Sequence, residues 1–457
     1  MRRKLVLWIL FVLFLVMNSL YLNRVPGLMG DEASEGQNVF ELLESETWTI
    51  RGERSYIGPL IDYARVPFVQ VFGYTVLALR IPLLLFSIAT FWLAVIVFKR
   101  LFGEETYLMA VAALVFSPVY LTYQRLGWAI TLFPFFALLI LYLLTSGFKQ
   151  RALLAGLAGG LGVHTHILFL PVLVGIGGSW LIAKFKEAWG YWPAVVGFLA
   201  AFGTQIAILL LYPEDQGDPM EVAGVLLERV YDLPKILPLV LSGSSFVARY
   251  TGVEFSDLFI WLVTGIVAIL AAVALILPKN RKAAGLWFLG AVVSLGVLLV
   301  IMDRFTLRYF VMLCLALWTL AGVGLAKLIK FEMAPVGLAV LLSGLSWGLI
   351  FIPFLKTGGS VADFSLGNRT NSAAALVDTR PLLVCLRGAG SVTSEDVHIF
   401  NRLLYFSHEY EDLKVLPDSE AKLADFLVHH KTPKILEEVT GEELCPELKH
   451  FVVEKQS

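Results

Sequence analysis

The chain has 457 residues, of which 58% are hydrophobic and only 16% are charged, and its mean hydropathy is +0.76. Soluble domains are about 45–50% apolar and about 25% charged, so this composition excludes an ordinary soluble protein. The net charge of −1 and the lack of a strongly basic segment give no reason to expect a nucleic-acid partner. The composition therefore predicts an integral membrane protein surrounded by membrane lipids.

The three cysteines are too few for a disulfide framework. Cys314 lies within an apolar run and is expected to be a small core residue. Cys385 and Cys445 both fall near the C-terminus, where they could form one bridge, but we favour two free thiols.

The predicted elements begin with a membrane span over Leu5–Leu22, which follows the basic residues 2–4. The length of this run and the lack of a small-x-small cleavage site before Arg24 favour a retained span over a signal peptide. A polar, acidic outer segment with two short helical patterns is predicted next, over residues 23–74.

Ten further apolar helices follow, which gives about eleven spans. The run over residues 153–182 is too long for one span and is broken at His164-Thr165-His166, so we predict two short helices that meet there. A second outer segment is predicted over residues 212–257. The remaining spans are predicted at residues 76–98, 106–122, 128–145, 192–211, 258–277, 286–302, 309–326 and 333–354.

The basic residues between the spans decide the predicted orientation, because cytoplasmic turns are enriched in Lys and Arg. Turns on the N-terminal side contain fourteen basic residues against four acidic ones, whereas the two long segments opposite are rich in Asp and Glu. We expect a protein of the cell membrane with a cytoplasmic N-terminus and an extracytoplasmic C-terminus. The fourteen are Arg2, Arg3, Lys4, Lys99, Arg100, Lys149, Arg151, Lys184, Lys186, Lys279, Arg281, Lys282, Lys327 and Lys330.

Residues 1–355 are thus predicted to form the membrane domain, residues 356–379 a linker, and residues 380–457 a small soluble domain. The fold class is an all-α polytopic membrane protein with a C-terminal α/β extracytoplasmic domain. In that domain, strands are predicted at Pro381–Leu386, Lys414–Leu416, Lys434–Leu436 and Phe451–Val453, and helices at Glu395–Tyr410 and from Asp418 to His429.

The acidic pair Asp31-Glu32 lies shortly after the first span and follows a turn rich in glycine. A carboxylate held at the membrane surface can accept the proton of an attacking hydroxyl, which is the work of a general base. The alternative is that Asp31 caps a helix over residues 32–43, where acids stabilise the first turn. Residue chemistry alone favours the cap, and the two roles are compatible.

Five arginines are predicted near the outer face, and their planar guanidinium groups suit a lipid phosphate. The alternative for any one of them is a pairing with an acid such as Asp62 or Asp303. For all five together we favour a phosphate-binding surface. They are Arg65, Arg80, Arg125, Arg304 and Arg308.

The pair His164-x-His166 could supply two metal ligands, but two ligands are a weak signal. We favour a hydrogen-bonding role in an outer cavity, and the sequence leaves a divalent metal open. The glycines between Gly156 and Gly162 lie within a span, where they favour close helix packing over a phosphate loop.

The order of these features resembles the type C (GT-C) glycosyltransferases. Within that class it resembles the glycosyltransferase family 39-like group of dolichyl-phosphate-mannose protein mannosyltransferases and aminoarabinose transferases. The resemblance rests on a basic start, one span and then a Gly-Asp-Glu-Ala motif, followed by further matches in the same order. These matches are Phe72-Gly73 with Ala78-Leu79-Arg80-Ile81-Pro82, Ser117-Pro118 with Tyr123-Gln124-Arg125, the glycine-rich span ending at His166, and Arg308-Tyr309-Phe310.

The resemblance implies an inverting transfer of a sugar from a polyprenyl-phosphate donor to a protein, lipid or glycan acceptor on the outer face. It implies Asp31 as the base, with Glu32 beside it, and assigns Arg125 and Arg308 to the donor phosphate. We add Arg80 and Arg304 to that phosphate site, on their positions near the outer face.

On the acceptor side of the cavity we expect Tyr63, His164 and His166. Tyr63 ends a segment, from Gly58, that differs from the "PPLYY" helix of the group. A transporter or flippase of lipid-linked sugars and a non-catalytic membrane scaffold are the alternative functions.

Overall fold

A computed structural model of the chain describes residues 2–45, 52, 57–147, 149–211, 226–244, 256–276, 281–301, 307–358, 379–408, 413–417, 423–430, 443–448 and 451–456. The described part is mainly helical, with one small sheet near the C-terminus. Its first ten α-helices are α1 (Arg2–Ser19), α2 (Gly30–Glu44), α3 (Leu60–Phe72), α4 (Val76–Phe102), α5 (Tyr107–Val115), α6 (Pro118–Tyr123), α7 (Phe133–Leu144), α8 (Arg151–Thr165), α9 (Leu170–Ala183) and α10 (Trp192–Leu211).

The helices that follow extend from the membrane region into the C-terminal domain. They are α11 (Leu226–Leu241), α12 (Asp257–Ile276), α13 (Arg281–Ile301), α14 (Val311–Leu328), α15 (Ala334–Ser346), α16 (Ile352–Thr357), α17 (Arg380–Cys385) and α18 (Val397–Ser407). Short 3₁₀ helices occupy Ala129–Leu132, Ile167–Phe169, Phe185–Tyr191 and Leu307–Phe310, and a π-helix occupies Trp347–Phe351.

Within the described residues, six helices are long and apolar enough to cross a membrane. They are Val76–Phe102, Trp189–Ile208, Asp257–Ile276, Arg281–Val300, Val311–Leu328 and Ala334–Thr357. Helices are expected there, because a backbone in lipid must satisfy its own hydrogen bonds. The polytopic, mainly helical fold class is confirmed, whereas the number of eleven spans stays a prediction.

Glycines let several of these helices approach closely. A Cβ added at Gly156 of α8 would lie 1.8 Å from the Ala194 carbonyl oxygen of α10, and one at Gly197 would lie 2.1 Å from the Leu153 carbonyl oxygen. Such contacts are typical of packing between membrane helices. The packing role predicted for the glycines of α8 is therefore confirmed.

The structure gathers several basic turns at the end of the bundle where α1 begins. Arg3 and Lys99 both pair with Glu104, and Arg2 pairs with Glu332. We refer to this end as the basic face. The other end, where α1 gives way to α2, is the candidate outer face, and its orientation in the cell stays a prediction.

The C-terminal domain has a four-stranded sheet in the order β2-β1-β3-β4. The central strand β1 (Gly390–Thr393) pairs in parallel with β2 (Leu413–Val415) and β3 (Phe426–His430), and β4 (Phe451–Lys455) runs antiparallel to β3. Helix α18 covers this sheet with an apolar face. The predicted α/β domain and its helix near residues 395–410 are confirmed.

Three predictions for this domain are wrong. The segment Pro381–Leu386 is not a strand, because residues 380–385 form α17 with its proline in the first turn, where the missing N–H costs nothing. The predicted helix from Asp418 to His429 instead ends in β3, and residues 418–422 lie outside the described part. Cys385 and Cys445 are not free thiols but form a disulfide, since their Cα atoms are 6.3 Å apart.

Two further predictions concern residues that the structure does not describe. The predicted strand Lys434–Leu436 and most of the predicted linker, residues 359–378, lie outside the described residues. Strand β1 was not predicted, because its four residues, Gly390–Thr393, carry too little apolar pattern.

Candidate functional site

The acidic pair lies where the first outer segment enters α2. Met29 is the residue that precedes the helix, so Asp31 belongs to the first turn and is not its N-cap. Asp31 is half-buried, whereas the neighbouring Glu32 is completely buried. The two carboxylates therefore have different surroundings, and of the two only Asp31 is partly exposed.

Glu32 is held by four hydrogen-bond donors. Its Oε1 accepts from Arg80 Nε at 2.7 Å and from the Gly127 backbone N–H at 2.7 Å. Its Oε2 accepts from Arg80 Nη2 at 2.8 Å and from the Met29 N–H at 3.3 Å. A buried carboxylate that is paired in this way cannot serve as a base for a bound substrate. The geometry makes Glu32 a positioning residue and does not support its predicted catalytic role.

Arg80 of α4 uses all its donors inside the protein. Besides the two bonds to Glu32, its Nη1 donates to the carbonyls of Leu22 at 2.9 Å and Pro26 at 2.8 Å, and its Nη2 donates to Gly27 at 3.0 Å. A guanidinium has five N–H donors, and these five bonds use them. Arg80 thereby fixes the turn between α1 and α2.

Arg125, in the turn after α6, closes the end of α1. Its Nη1 donates to the carbonyls of Met17 at 2.7 Å and Asn18 at 3.2 Å, and its Nη2 donates to Leu20. Nε donates to the Val25 carbonyl at 2.9 Å. The last carbonyls of a helix have no partner within the helix, so a buried arginine can satisfy them.

These contacts favour a structural role for Arg80 and Arg125 over the predicted binding of the donor phosphate. Both side chains are at most 1% exposed, and their donors face backbone carbonyls and Glu32. A phosphate could reach them only if those bonds broke. Their positions near the outer face were predicted correctly from the sequence, but the direction of their side chains was not.

Arg65 of α3 completes this buried network. Its Nη1 contacts Glu35 Oε2 at 3.0 Å and Asp62 Oδ1 at 3.3 Å, and its Nη2 donates to the Gly127 carbonyl. The alternative of pairing with Asp62 is therefore correct for this arginine. Glu35 was missed, although it follows Glu32 by three residues and so shares its helix face.

We call the buried set Glu32, Glu35, Asp62, Arg65, Arg80, Arg125 and Gly127 the ionic frame. It joins the turn before α2, helices α2 and α3, the start of α4 and the α6–α7 connection. Gly127 is central to it, because a Cβ there would lie 2.3 Å from Glu32 Oε1. The frame fixes the backbone from which Asp31 projects.

The structure does not describe the side chains of the two remaining arginines of the predicted phosphate site. Arg304 lies outside the described residues. Arg308 lies in the 3₁₀ helix Leu307–Phe310 that leads into α14, but the structure does not describe its side chain. Both assignments stay predictions.

The acceptor-side candidates lie around the end of α8, where the predicted break occurs. The Gly58 N–H donates to the His164 carbonyl at 2.7 Å, and a Cβ at Gly58 would lie 2.3 Å from the His164 ring. His164 is half-buried, and its Nδ1 has no partner among the described residues. Tyr63 is also half-buried, one turn into α3.

His166 has a local structural role. It is buried, and its Nδ1 accepts the Leu168 N–H at 3.2 Å, which caps the following 3₁₀ helix. The described part of the chain contains no group of three or more His, Cys, Asp or Glu side chains that could hold a metal. The two histidines therefore do not form a metal site by themselves.

The C-terminal domain packs directly on α2. Tyr405 lies against Gly36, where a Cβ would be 2.6 Å from its ring, and its hydroxyl donates to the Thr75 carbonyl at 3.2 Å. His408 stacks on Phe40 with ring centroids 3.6 Å apart, and its Nε2 is 2.7 Å from Gln37 Oε1. Helix α2 is thus held by the ionic frame and by the C-terminal domain.

The core of the domain continues into the membrane part. Leu28, Ala33 and Leu79 belong to the same buried cluster as Leu403 and Val428 of the domain. Burial lowers the pKa of His408 below its usual value, against the opposing effect of Glu44. The C-terminal domain is therefore joined to α2, the helix that carries Asp31, by a shared apolar core as well as by the chain connection.

Comparison with known proteins agrees with this architecture. The sequence profile of the family described as dolichyl-phosphate-mannose-protein mannosyltransferase matches residues 57–208. ArnT from Cupriavidus metallidurans, bound to undecaprenyl phosphate, superposes with a TM-score of 0.59 at 14% identity, over 98% of this chain and 97% of that chain. The chain has a GT-C fold. It resembles ArnT in fold over almost its full length, and the mannosyltransferase family in sequence over residues 57–208.

Two further structural matches complete the comparison. The apo state of the same ArnT gives a TM-score of 0.59 at 12% identity and covers 98% of this chain and 97% of that chain. The Archaeoglobus fulgidus oligosaccharyltransferase complex with Zn and sulfate is a more distant match, with a TM-score of 0.45 at 13% identity over 93% of this chain and 68% of that chain. No curated protein matches this chain by sequence. The profile match begins after Asp31 and Glu32, so it does not bear on them.

Proposed function

We propose that this protein is a membrane glycosyltransferase that transfers a sugar from a polyprenyl-phosphate donor to an acceptor at the outer face. The GT-C fold and the matched family description support the reaction class. The undecaprenyl phosphate bound to the similar ArnT supports a polyprenyl phosphate as the lipid carrier. A location outside the cytoplasm is consistent with such a donor, because nucleotide-activated sugars remain in the cytoplasm.

The observation that carries the proposal is the arrangement around Asp31. The ionic frame buries Glu32 and leaves Asp31 half-exposed in the first turn of a helix that is fixed on two sides. General-base catalysis needs a carboxylate at a fixed position with access to the substrate. Asp31 meets this requirement and Glu32 does not.

In the proposed reaction, Asp31 accepts the proton of an acceptor hydroxyl while the hydroxyl oxygen attacks the anomeric carbon of the sugar. The bond between that carbon and the phosphate oxygen of the donor breaks, and the polyprenyl phosphate leaves with the electron pair. Attack opposite the leaving group inverts the anomeric centre. A general base contributes about 10²–10⁴-fold to such a step.

The donor phosphate requires cationic partners, and we assign them to Arg308 and Arg304. Both belong to the set of arginines that the sequence predicts near the outer face. Arg308 belongs to the 3₁₀ helix Leu307–Phe310 before α14, and a guanidinium is a suitable partner for a phosphate. Arg80 and Arg125 are reassigned to holding the turn that carries Asp31.

The acceptor is proposed to approach between α3 and the end of α8. Tyr63 and His164 are half-buried there, and the Gly58 contact holds the two segments together. The Nδ1 of His164, which has no partner among the residues that the structure describes, is a hydrogen-bonding group for a polar acceptor. His166 is left out of the acceptor site, because its ring is engaged with its own backbone.

The test uses the full chain, purified and reconstituted in liposomes with polyprenyl-phosphate sugars labelled in the sugar. Membrane extracts on the outside of the liposomes provide acceptors. Label that becomes covalently attached to a protein, lipid or glycan is the expected result. Label that crosses the bilayer while it stays on the polyprenyl phosphate would identify a flippase. Label that is neither transferred to an acceptor nor moved across the bilayer would favour a non-catalytic scaffold.

A further inference from the structure

A second feature of the molecule lies far from Asp31, at the basic face. Helices α7, α8, α9 and α10 and the 3₁₀ helix Phe185–Tyr191 line an open cavity of about 530 Å³. Its walls are almost entirely apolar and include Leu144, Leu173, Leu181, Trp192, Val195 and Phe198. We call this cavity the α9–α10 cleft.

The cleft exists because α9 and α10 pack on different neighbours. Helix α10 lies tightly on α8 through Gly156 and Gly197. Helix α9 instead packs on α13, where a Cβ at Gly175 would be 2.2 Å from the Gly290 carbonyl oxygen. The two helices therefore diverge from the 3₁₀ helix that connects them. An apolar space at the edge of a membrane bundle is filled by lipid chains, because water gains no hydrogen bonds there.

Two polar atoms beside the cleft lack partners. The Trp180 Nε1 and the Tyr191 hydroxyl are shielded from solvent, and neither has a hydrogen-bond partner in the described part of the chain. Both residues line the cleft, and their ring centroids are 6.4 Å apart. Buried polar groups are nearly always hydrogen-bonded, so two orphans at one cavity indicate an occupant that carries acceptor oxygens.

A basic residue, Arg151, lies beside Tyr191 of the cleft. The Arg151 guanidinium lies 5.9 Å from the centre of the Tyr191 ring, and one of its nitrogens donates to the Ser146 carbonyl at 3.2 Å. Lys149 and Lys186 are exposed nearby in sequence. The acid of this region, Glu187, pairs with Lys184 at 3.0 Å, which leaves a net positive charge.

The aromatic residues beside the cleft mark the level of the lipid headgroups. Phe185 is 80% exposed and Trp189 is 90% exposed on the connecting 3₁₀ helix. Exposed aromatic side chains of membrane proteins concentrate at the interface between hydrocarbon and headgroups. The cleft therefore has Arg151 at the level of the headgroups and its apolar depth among the acyl chains.

We propose that the α9–α10 cleft binds one anionic phospholipid of the leaflet at the basic face. An acyl chain fills the apolar walls, the phosphate contacts Arg151, and ester or phosphate oxygens accept hydrogen bonds from Tyr191 and Trp180. This site is independent of the proposed sugar transfer. It would fix the α9–α10 connection and so stabilise this end of the bundle.

The test measures lipid retention by the full chain in nanodiscs. Wild-type protein and the Arg151→Gln and Tyr191→Phe variants are purified from nanodiscs that contain equal amounts of phosphatidylglycerol and phosphatidylcholine, and bound lipid is counted by native mass spectrometry. Lys330→Gln is the matched control, because Lys330 is an exposed cation of the same face. The wild type and the control are expected to retain phosphatidylglycerol over phosphatidylcholine by about tenfold, and Arg151→Gln to lose this preference.

Two competition arms identify the ligand. Soluble glycerophosphoglycerol is expected not to displace the bound lipid, because it lacks acyl chains; displacement at equal concentration would overturn the role of the cleft. Undecaprenyl phosphate is expected to compete no better than phosphatidylglycerol, and stronger competition would make the cleft a donor-lipid site. Equal retention of the two phospholipids by the wild type, or an Arg151→Gln variant that behaves like the control, would also overturn the proposal.

Discussion

The pairing of Arg80 with Glu32 gives the sharpest test of the ionic frame. Arg80→Met removes the charge while it keeps a long side chain in place. The Glu32 carboxylate would remain completely buried with only the N–H groups of Gly127 and Met29, and three backbone carbonyls would lose their donor. Removal of one partner from a buried ion pair lowers the free energy of unfolding by about 3–5 kcal/mol, and we expect Arg80→Met to lower it by an amount in that range.

The measurement is the free energy of unfolding in mild detergent micelles, followed by tryptophan fluorescence. Lys282→Met is the control, because Lys282 is exposed at the basic face. The double variant Glu32→Gln with Arg80→Met should recover part of the loss, since no buried charge is left unpaired. A role in phosphate binding predicts the reverse, a weaker donor affinity with unchanged stability. An Arg80→Met protein within about 1 kcal/mol of the wild type would refute the ionic frame.

Three further predictions follow from contacts around the site. Cys385→Ser should lower the stability of the C-terminal domain by about 2–5 kcal/mol, because the bridge to Cys445 is lost; reductant without effect on wild-type unfolding would contradict this. Gly58→Ala should raise the KM for the acceptor, since the new Cβ displaces the His164 ring, and an unaltered KM would exclude that region from the acceptor site. Burial lowers the pKa of His408, so its docking on α2 should be complete above about pH 6.5 and weaken as the pH falls through the lower folded-state pKa. Hydrogen exchange of the α2 amides measures that docking. If the exchange rates, corrected for the intrinsic pH dependence of amide exchange, did not change as the pH falls, the role of His408 would be contradicted.

The sequence predicted the features that depend on local pattern. The apolar runs, the two helices of the first outer segment and the break at His164 all appear in the structure, because composition and length decide them. The position of Asp31 near a helix start was also predicted. What the sequence could not supply was the identity of the cap, since Met29 precedes the helix and Glu32 provides the side-chain contact.

The roles of the arginines required the tertiary structure. Arg125 contacts carbonyls 100 or more residues away in sequence, at the end of α1 and in the turn after it, and no spacing rule reveals such partners. The position of Arg80 near the outer face suggested that it binds the donor phosphate, whereas its N–H groups donate to carbonyls inside the protein. The same limit applies to Cys385 and Cys445, whose pairing depends on a Cα separation that only the fold determines.

The short apolar segments of the C-terminal domain were the least predictable. An apolar run of four to six residues fits a buried strand or a helical turn equally well, which explains the error at α17. The segment that became β3 ends in two histidines, and its sequence lacks a clear alternation. In both segments, packing against the neighbouring elements decided between the two structures.

The most direct test of the whole account is sugar transfer by the Asp31→Asn variant. Asparagine keeps the size of the side chain but cannot accept the proton of the acceptor hydroxyl. We predict that transfer from the labelled polyprenyl-phosphate donor falls by about 10²-fold or more, while the unfolding free energy and the donor affinity stay at wild-type values. Transfer at the wild-type rate by a correctly folded Asp31→Asn protein would contradict the assignment of Asp31 as the base.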